Sequence, residues 1–208
     1  MREQQSGTAK MDNVRVLPPG WKWVTLGELM STTTGIVDPA KHPDEVFKLY
    51  SIPAHDIGQP TLVKGALIGS SKLSVEKGDV LLSKIVPHIR RTWVVAEGDK
   101  NRQIASTEWI VFRTKLADPD FLRFMLRDND FHKQLMDTTS GVGGSLTRAR
   151  PSLVAKIKIP FPPISKQKRI AAILNEQLAA VDKARAAAEA QLEAAKALPA
   201  AYLREVFP

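Results

Sequence analysis

The sequence predicts an α+β fold in which a mixed, β-rich globular domain is followed by one long, coiled-coil-like C-terminal α-helix. The glycines and most of the 14 prolines precede Ser165. Residues 165–207 are rich in Ala, Leu, Lys, Glu and Gln, lack glycine, and contain a single proline, Pro199. This composition favours a long helix. The 43% hydrophobic content of the 208 residues is sufficient for a packed core.

Short periodic segments between turn residues predict the elements of the globular domain. Thr25 and Glu28 have capping-box spacing, which predicts the start of a short helix. A Lys-Gly-Asp turn at residues 77–79 leads into a strand. The predicted strands of this part are residues 47–52, 80–85, 92–96 and 105–113.

The second half of the domain is predicted to contain helices and one more strand. Asp118 and Pro119 indicate a helix start, because an acidic cap and a proline at the first helical position both fit there. Its apolar face consists of Phe121, Leu122, Met125 and Leu126, and helical sequence continues to about Met136. Residues 138–147 predict a Gly/Ser/Thr loop. Residues 155–159 alternate like a half-buried strand, which Pro160, Pro162 and Pro163 are expected to end.

Charge and composition limit the class of protein. The net charge of +8 and the pI of about 9.8 suit a polyanion such as DNA, RNA or an acidic membrane surface. Most of the excess lies before residue 165. The absence of cysteine excludes disulfides and Cys-based zinc sites and fits a reducing cytoplasm. The sequence has no apolar run of the ~18 residues that span a bilayer, and residues 1–13 are expected to be a flexible polar tail.

Searches for catalytic motifs predict no enzyme. The sequence lacks a Gly-x4-Gly-Lys-Ser/Thr phosphate loop and a Gly-x-Ser-x-Gly nucleophile turn. Residues 141–145 approach a dinucleotide-binding motif without its third glycine. They are interpreted as a flexible loop or as backbone that contacts phosphate. No metal or catalytic spacing relates the scattered residues His42, His55, His88, His132, Asp56, Asp79 and Glu108.

Two basic segments are the candidates for contact with nucleic acid. Residues 83–92 place cationic side chains around a proline turn, and residues 145–150 place hydroxyls beside arginines. Arginine can donate two parallel hydrogen bonds to guanine or phosphate, whereas lysine offers a point charge. The candidate DNA-binding residues are Ser83, Lys84, His88, Arg90, Arg91, Ser145, Thr147, Arg148 and Arg150. An ordinary solvated basic loop is the alternative for each segment.

The C-terminal helix carries an apolar stripe whose members are three and four residues apart. The stripe residues of the predicted dimer helix are Leu174, Leu178, Val181, Ala188, Leu192 and Ala195. Arg185 interrupts the series, and Pro199 is expected to kink the helix. A heptad-like stripe of this kind must pack on something. The sequence leaves two alternatives, the protein's own domain or a helix of another chain.

Several segments, in order, resemble the specificity (S) subunit of type I restriction-modification systems. Residues 17–29 (LPPGWKWVTLGEL) resemble the opening of a target-recognition domain, and residues 77–85 (KGDVLLSKI) resemble its central strand. Residues 105–109 (ASTEW) and 118–122 (DPDFL) follow in the expected order. Residues 157–170 (IKIPFPPISKQKRI) resemble the Pro-Pro-x-x-x-Gln-x-x-Ile stretch that joins this domain to the conserved-region helix.

The resemblance implies a non-catalytic subunit that reads double-stranded DNA and holds methyltransferase (modification) subunits. Restriction subunits are the further partners in the same complex. S-adenosylmethionine, ATP and Mg are then expected on the partner subunits, and no cofactor or metal on this chain. The implied organisation is a tail at 1–13, a DNA target-recognition domain at 14–164, and a helix at 165–208 for dimerisation and docking.

The half length is a departure from the family pattern. A usual S subunit has two recognition domains and two helical regions, whereas this sequence has one of each. The sequence is then that of a natural half-subunit, a truncated product or a fragment. Two copies could pair their helices antiparallel as a homodimer, whose target would be an interrupted palindrome. The alternative function is an oligomerisation adaptor that acts through its C-terminal helix and binds no DNA.

Overall fold

The structure, a computed structural model, describes residues 16–31, 34–140 and 147–207. Its strands are β1 (Lys22–Thr25), β2 (Ile36–Val37), β3 (Val46–Tyr50), β4 (Thr61–Lys64), β5 (Lys72–Ser74), β6 (Val80–Ser83), β7 (Thr92–Val94), β8 (Gln103–Ala105), β9 (Trp109–Phe112), β10 (Thr139–Ser140), β11 (Arg148–Ala149) and β12 (Lys158–Phe161). Its helices are α1 (Ile52–Ile57), α2 (Pro119–Met125), α3 (Asn129–Asp137), α4 (Pro151–Val154) and α5 (Ile164–Val206). The predicted α+β class, a β-rich domain followed by a long helix, is confirmed.

A three-stranded sheet in the order β7-β6-β9 separates two apolar cores. On β6, Val80 and Leu82 enter one core and Leu81 the other, because successive side chains of a strand point to opposite faces. β9 repeats the alternation, with Ile110 and Phe112 in the first core and Trp109 and Val111 in the second. Both strands are buried along their whole length. The segments that leave their ends therefore start from fixed positions.

The remaining layers pack on either side of this sheet. The first core also contains side chains of β1, β12, α2, α3 and the start of α5. The second core includes Tyr50 and Ala105 from a five-stranded sheet in the order β2-β5-β8-β3-β4. Phe47 and Ile104 face the other side of that sheet in a smaller cluster. The long helix thus joins the domain on the side opposite the five-stranded sheet.

Two local predictions of helix starts are confirmed. Glu28 Oε1 accepts hydrogen bonds from the backbone nitrogen of Thr25 at 2.9 Å and from its hydroxyl at 2.7 Å, at the start of a 3₁₀ helix, Leu26–Glu28. Asp118 accepts from the backbone nitrogen of Phe121 at 3.0 Å, at the start of α2. Both signals act within four residues, which is why the sequence alone was sufficient.

The prediction of one β-rich run over residues 105–113 was wrong. β8 ends at Ala105, β9 begins at Trp109, and the two strands belong to different sheets. A turn separates them, in which Trp109 N donates to Ser106 O at 3.1 Å and Glu108 N donates to the Ser106 hydroxyl at 3.2 Å. The strand predicted at 47–52 is β3, and it ends at Tyr50 because Ser51 caps α1.

The strand predicted at residues 155–159 lies later in the chain, as β12. Pro151 starts α4, and the turn after that helix continues until Ile157 N donates to Val154 O at 3.0 Å. Pro160 does not end the strand but lies inside it, opposite Trp23 of β1. A proline is tolerated there because β12 pairs with β1 alone in the described part of the chain, so one edge needs no N–H donor.

Two predicted segments fall on residues that the structure does not describe. The tail at 1–13 and loop residues 141–146 lie outside the described residues. On either side of that loop, Thr139 and Ser140 of β10 pair antiparallel with Ala149 and Arg148 of β11.

Gln167 fastens the start of α5 to the domain. Its side chain is fully buried and makes three hydrogen bonds. Its amide nitrogen donates to Pro162 O at 2.9 Å and to Leu116 O at 3.3 Å, and its amide oxygen accepts from Asp118 N at 2.8 Å. Two turns later, Asn175 accepts from Arg123 at 2.9 Å. These contacts tie the helix to the segment that leads into α2.

Beyond Asn175 the predicted long helix is confirmed as a projecting rod. Every residue from 176 to 204 is exposed, and α5 continues through Pro199 to Val206. At 1.5 Å per residue the projecting part is about 45 Å long. No helix in the described part of the chain is long and apolar enough to cross a bilayer. The roles assigned to the domain and the helix stay predictions.

Replacing Gln167 by Ala is expected to lower the free energy of unfolding by about 2–4 kcal/mol, because it leaves buried backbone groups without partners. Urea unfolding monitored by circular dichroism measures the change. Gln177→Ala is the matched control, since Gln177 is exposed on the same helix, and we expect a change within about 0.5 kcal/mol. Equal stabilities of the two variants would contradict the role given to Gln167.

Candidate nucleic-acid interface

The two basic segments predicted from the sequence meet in one surface. Val86 N donates to Thr147 O at 3.0 Å, and Ala149 N donates to Lys84 O at 2.8 Å. An isolated β-bridge also joins Ile85 to Arg148. We use the name basic surface for the surface formed by Lys84, His88, Arg90, Arg91, Thr147, Arg148 and Arg150, together with the buried Ser83. Ser145, the remaining candidate, lies outside the described residues.

The backbone of the segment after β6 is tightly bent. The buried Ser83 hydroxyl donates to Ile85 O at 2.9 Å, and Pro87–Ile89 forms a 3₁₀ turn. Val86 and Arg90, which flank this turn, have φ angles of 48° and 56°. The left-handed region costs a residue with a Cβ on the order of 1 kcal/mol, and a β-branched valine is an outlier there. The surrounding contacts therefore hold a strained turn that exposes His88.

Arg91 is held by an ion pair with Asp56. Its guanidinium donates from Nε to Oδ1 at 2.7 Å and from Nη2 to Oδ2 at 2.8 Å, and the Arg91 side chain is only 11% exposed. These hydrogen bonds lower the pKa of Asp56 from its usual 3.8 to about 2. The pair connects α1 to the start of β7. Arg91 thus anchors the basic segment, whereas its contact with DNA stays a prediction.

Arg90 holds the same segment against α3. Its Nη1 donates to Asn129 Oδ1 at 2.7 Å and, at 3.4 Å, to Arg127 O. His132 of α3 lies nearby, and burial, followed by the charges of Arg90 and His88, lowers the pKa of its imidazole. The turn between β6 and β7 is therefore supported from two sides.

The second segment presents its arginines to solvent. Arg148 Nη1 donates to both carboxylate oxygens of Glu108, at 2.9 and 2.7 Å, and its side chain is 58% exposed. Arg150 is exposed, and its Nε makes one long hydrogen bond of 3.5 Å to Thr138 O. An exposed ion pair contributes little to stability. Arg148 uses Nη1 alone for Glu108, so its Nε and Nη2 can donate to an incoming anion while that contact is kept, and Arg150 can turn to an anion at small cost.

Lys84 occupies a half-buried position between the segments. Lys84 lines a cleft of about 300 Å³ together with Thr107 and Trp109. Burial lowers the pKa of Lys84, the charge of Glu108 opposes that effect, and the charge of Arg148 adds to it. The pairing of Asp56 and Glu108 with the basic segments could not be predicted from local spacing, because 35 residues separate Asp56 from Arg91 and 40 separate Glu108 from Arg148.

Comparison with known proteins identifies the family. Residues 18–194 match the model of the type I restriction modification DNA specificity domain. The chain belongs to this family. No curated protein matches it. Residues 157–170, which resemble the junction between domain and helix in this family, contain Gln167 and its hydrogen-bond partner Pro162.

Solved structures of specificity subunits share the fold. The chain is 31% identical to the HsdS subunit from Thermoanaerobacter tengcongensis, with a TM-score of 0.73 over 94% of this chain and 51% of that one. It is 32% identical, with a TM-score of 0.74, to a chain from a structure of complex assembly and conformational transition of the type I R-M system, over 93% and 51%. The S subunit from M. genitalium, 15% identical over 84% and 43%, shares the fold at a TM-score of 0.50. This specificity domain spans about half the length of the first two chains.

In this specificity domain the apolar stripe of α5 is largely open to solvent. Leu174 is half-buried against the domain, whereas Leu178, Val181 and Leu192 are 43%, 60% and 55% exposed. Ala188 and Ala195 are exposed as well. At the position where Arg185 interrupts the stripe, its Nε donates to Glu189 at 2.8 Å. In the part of the chain that the structure describes, the stripe from Leu178 onward does not pack on the domain. Its pairing with a helix of another chain stays a prediction.

Asp56→Asn removes the ion pair with Arg91 and is expected to destabilise the fold at pH 7. The loss should be only about 1 kcal/mol, because the carboxylate is half-exposed and solvent screens its charge. The pKa of Asp56 is depressed, so its contribution exists above pH 4 and is lost as the pH falls towards 2. The stability difference between wild type and variant should therefore shrink over that range in urea titrations. Asp44→Asn changes an exposed carboxylate and should show no such convergence. A difference that is constant with pH would refute the assignment.

Proposed function

We propose that this chain is the DNA-reading unit of a type I restriction-modification specificity subunit. It would read one half of a bipartite site in double-stranded DNA and hold modification subunits. The observation that carries the proposal is the meeting of the two basic segments in one surface, within residues that match a DNA specificity family. The net charge of +8 suits the same partner.

The basic surface divides this work between anchors and contacts. Arg90 and Arg91 hold the turn after β6 in shape. The exposed Arg148, Arg150 and His88 are free to approach the phosphate backbone and set the register of the protein on DNA. Ser83 and Thr147 support the two segments from within. Because Arg90 and Arg91 hold the backbone of the turn, that turn loses little conformational entropy on binding.

The projecting helix would provide the second half of the site. Two copies that pair antiparallel along the exposed stripe bury Leu178, Val181 and Leu192 and carry two domains on one rod. Such a dimer has two-fold symmetry, so its target is an interrupted palindrome. The exposed helix also offers the surface on which modification and restriction subunits dock.

The chemistry of the complex is assigned to other subunits in this proposal. S-adenosylmethionine, ATP and Mg²⁺ belong to the modification and restriction subunits, and this chain acts with them in the cytoplasm as a non-catalytic reader. Copurification of the full chain with a modification subunit, followed by mapping of methylated sites, tests that part. The alternative is an adaptor that oligomerises through α5 and binds no DNA. The exposed stripe of α5 fits the adaptor and the DNA-reading subunit equally well, so a measurement of DNA binding decides between these two functions.

Arg148→Ala combined with Arg150→Ala is expected to weaken DNA binding by the full chain and to reduce the slope of log K against log salt by about 1–2, since each lost phosphate contact contributes ~0.9. Fluorescence anisotropy with labelled duplexes at several salt concentrations measures both. Lys133→Ala combined with Lys196→Ala removes the same charge from exposed positions outside the surface and should change neither much. An adaptor would bind no duplex in any form.

Leu178→Glu is expected to convert a dimer into a monomer, because it places charge in the centre of the paired stripe. Light scattering at micromolar concentration should give twice the chain mass of 22.9 kDa for the wild type and a single chain mass for the variant. Ala179→Glu adds the same charge next to the stripe at an exposed position and should leave the dimer intact. A monomeric wild type would rule out the homodimer.

A further inference from the structure

The cleft beside Lys84 has a mixed chemical lining. It lies where β6 ends and β9 begins, and its walls include Ser31, Thr34, Lys84, Thr107, Trp109 and Pro151. Residues that carry hydroxyl groups, one lysine and apolar residues therefore line the same space. The cleft adjoins both segments of the basic surface, because the backbone of Lys84 is bonded to Glu108 and to Ala149.

Lys84 differs from the arginines around it. Each arginine of the basic surface has a hydrogen-bond partner in the protein. Within the described ranges, no side-chain hydrogen bond or ion pair engages the Lys84 ammonium. Its backbone is nevertheless fixed on both sides, since Lys84 N donates to Glu108 O at 2.9 Å and Lys84 O accepts from Ala149 N at 2.8 Å. The ammonium of this half-buried lysine, which has no side-chain partner among the described residues, can donate to a ligand acceptor.

Glu108 is the backbone neighbour of Lys84 across the sheet, and its charge acts on the Lys84 ammonium. Arg148 holds its carboxylate through both oxygens, and the side chain is 28% exposed. A carboxylate oxygen has more than one acceptor position, so Glu108 keeps acceptor capacity while Arg148 is bound. Arg148 thus fixes the orientation of the carboxylate without consuming it.

The pairing of a donor with an acceptor distinguishes between two kinds of DNA contact. A phosphate group offers acceptors only, and a neighbouring carboxylate repels it. The major-groove edge of a G·C pair offers the acceptors N7 and O6 on guanine beside the N4 amino donor on cytosine. Lysine pairs with guanine O6 and N7, and glutamate accepts from cytosine N4. The pairing of Lys84 with the neighbouring Glu108, at the edge of the cleft, therefore fits a base-pair edge better than a phosphate.

We propose that Lys84 and Glu108 together read one G·C base pair of the target in the major groove. Lys84 donates to guanine O6 and N7, Glu108 accepts from cytosine N4, and Arg148 positions Glu108. This assignment rests on the proposed DNA-reading function and adds one specified base pair to it. It makes Lys84 and Glu108 specificity-determining residues, separate from the phosphate contacts of Arg150.

The first test modifies the DNA and leaves the protein intact. Duplexes selected from a randomised library by the wild-type full chain define the target. Each guanine in turn is then replaced by 7-deazaguanine, and each cytosine by N4-methylcytosine. We expect one G·C pair at which each replacement weakens binding, by about 5- to 150-fold for a lost base contact. A target in which no G·C pair responds overturns the proposal.

The second test asks whether these residues make the contact. Lys84→Met keeps most of the side-chain length, and Glu108→Gln keeps its shape. Each should bind the target more weakly and lose further affinity only slightly on replacement of its own base, guanine for Lys84 and cytosine for Glu108. Lys133→Met, at an exposed position on α3, should respond to both replacements like the wild type. Thermal unfolding checks that the variants are folded, and the DNA-side scan stands even if one is not.

Two results would be read differently. Equal weakening of target and random DNA by Lys84→Met, with a smaller salt slope, identifies a phosphate contact and overturns the proposal. If the wild type selects no sequence and binds no duplex, the proposed function itself fails, and the base-pair assignment fails with it. Selective binding that responds to 7-deazaguanine in the wild type but not in Lys84→Met supports both.

Discussion

The buried side chain of Gln167 is the contact on which the arrangement of domain and helix depends. One amide joins the proline stretch before α5, the residue before α2, and the loop at Leu116. A fully buried amide needs all of these partners, because an unpaired polar group in a core is costly. The requirement is mutual, so the helix has one stable orientation on the domain. A helix held in one orientation can set the distance between two domains.

The position of the basic surface also depends on buried parts of the domain. β6 and β9 are buried on both faces, and the segments that leave them are fastened to each other by backbone hydrogen bonds. Asp56 and Glu108 then neutralise two of the cations. This lowers the net attraction for a polyanion but fixes where the remaining charges lie. The surface gives up some general affinity in exchange for defined geometry.

Sequence reasoning succeeded where a signal was local and failed where a long-range contact decided the outcome. The capping box at Thr25 and the start of α2 each depend on a few neighbouring residues, and the long helix α5 depends on its own composition; all three are present in the structure. The division of residues 105–113 between two sheets depends on partners elsewhere in the chain. The delayed start of β12 depends on its pairing with β1. The pairing of Arg91 with Asp56 has no counterpart in spacing, so the anchoring role of Arg91 was not foreseen.

The double-sided burial of the central sheet has an evolutionary consequence. The side chains that we propose as DNA contacts belong to segments beyond the ends of β6 and β9, and they are not part of the two apolar cores. Mutations can therefore accumulate in the segments while selection holds the strands constant. A lineage can acquire a new target by drift in a few surface positions and keep the same folding pathway. The same architecture thus allows the surface segments to diversify rapidly while the buried strands stay unchanged.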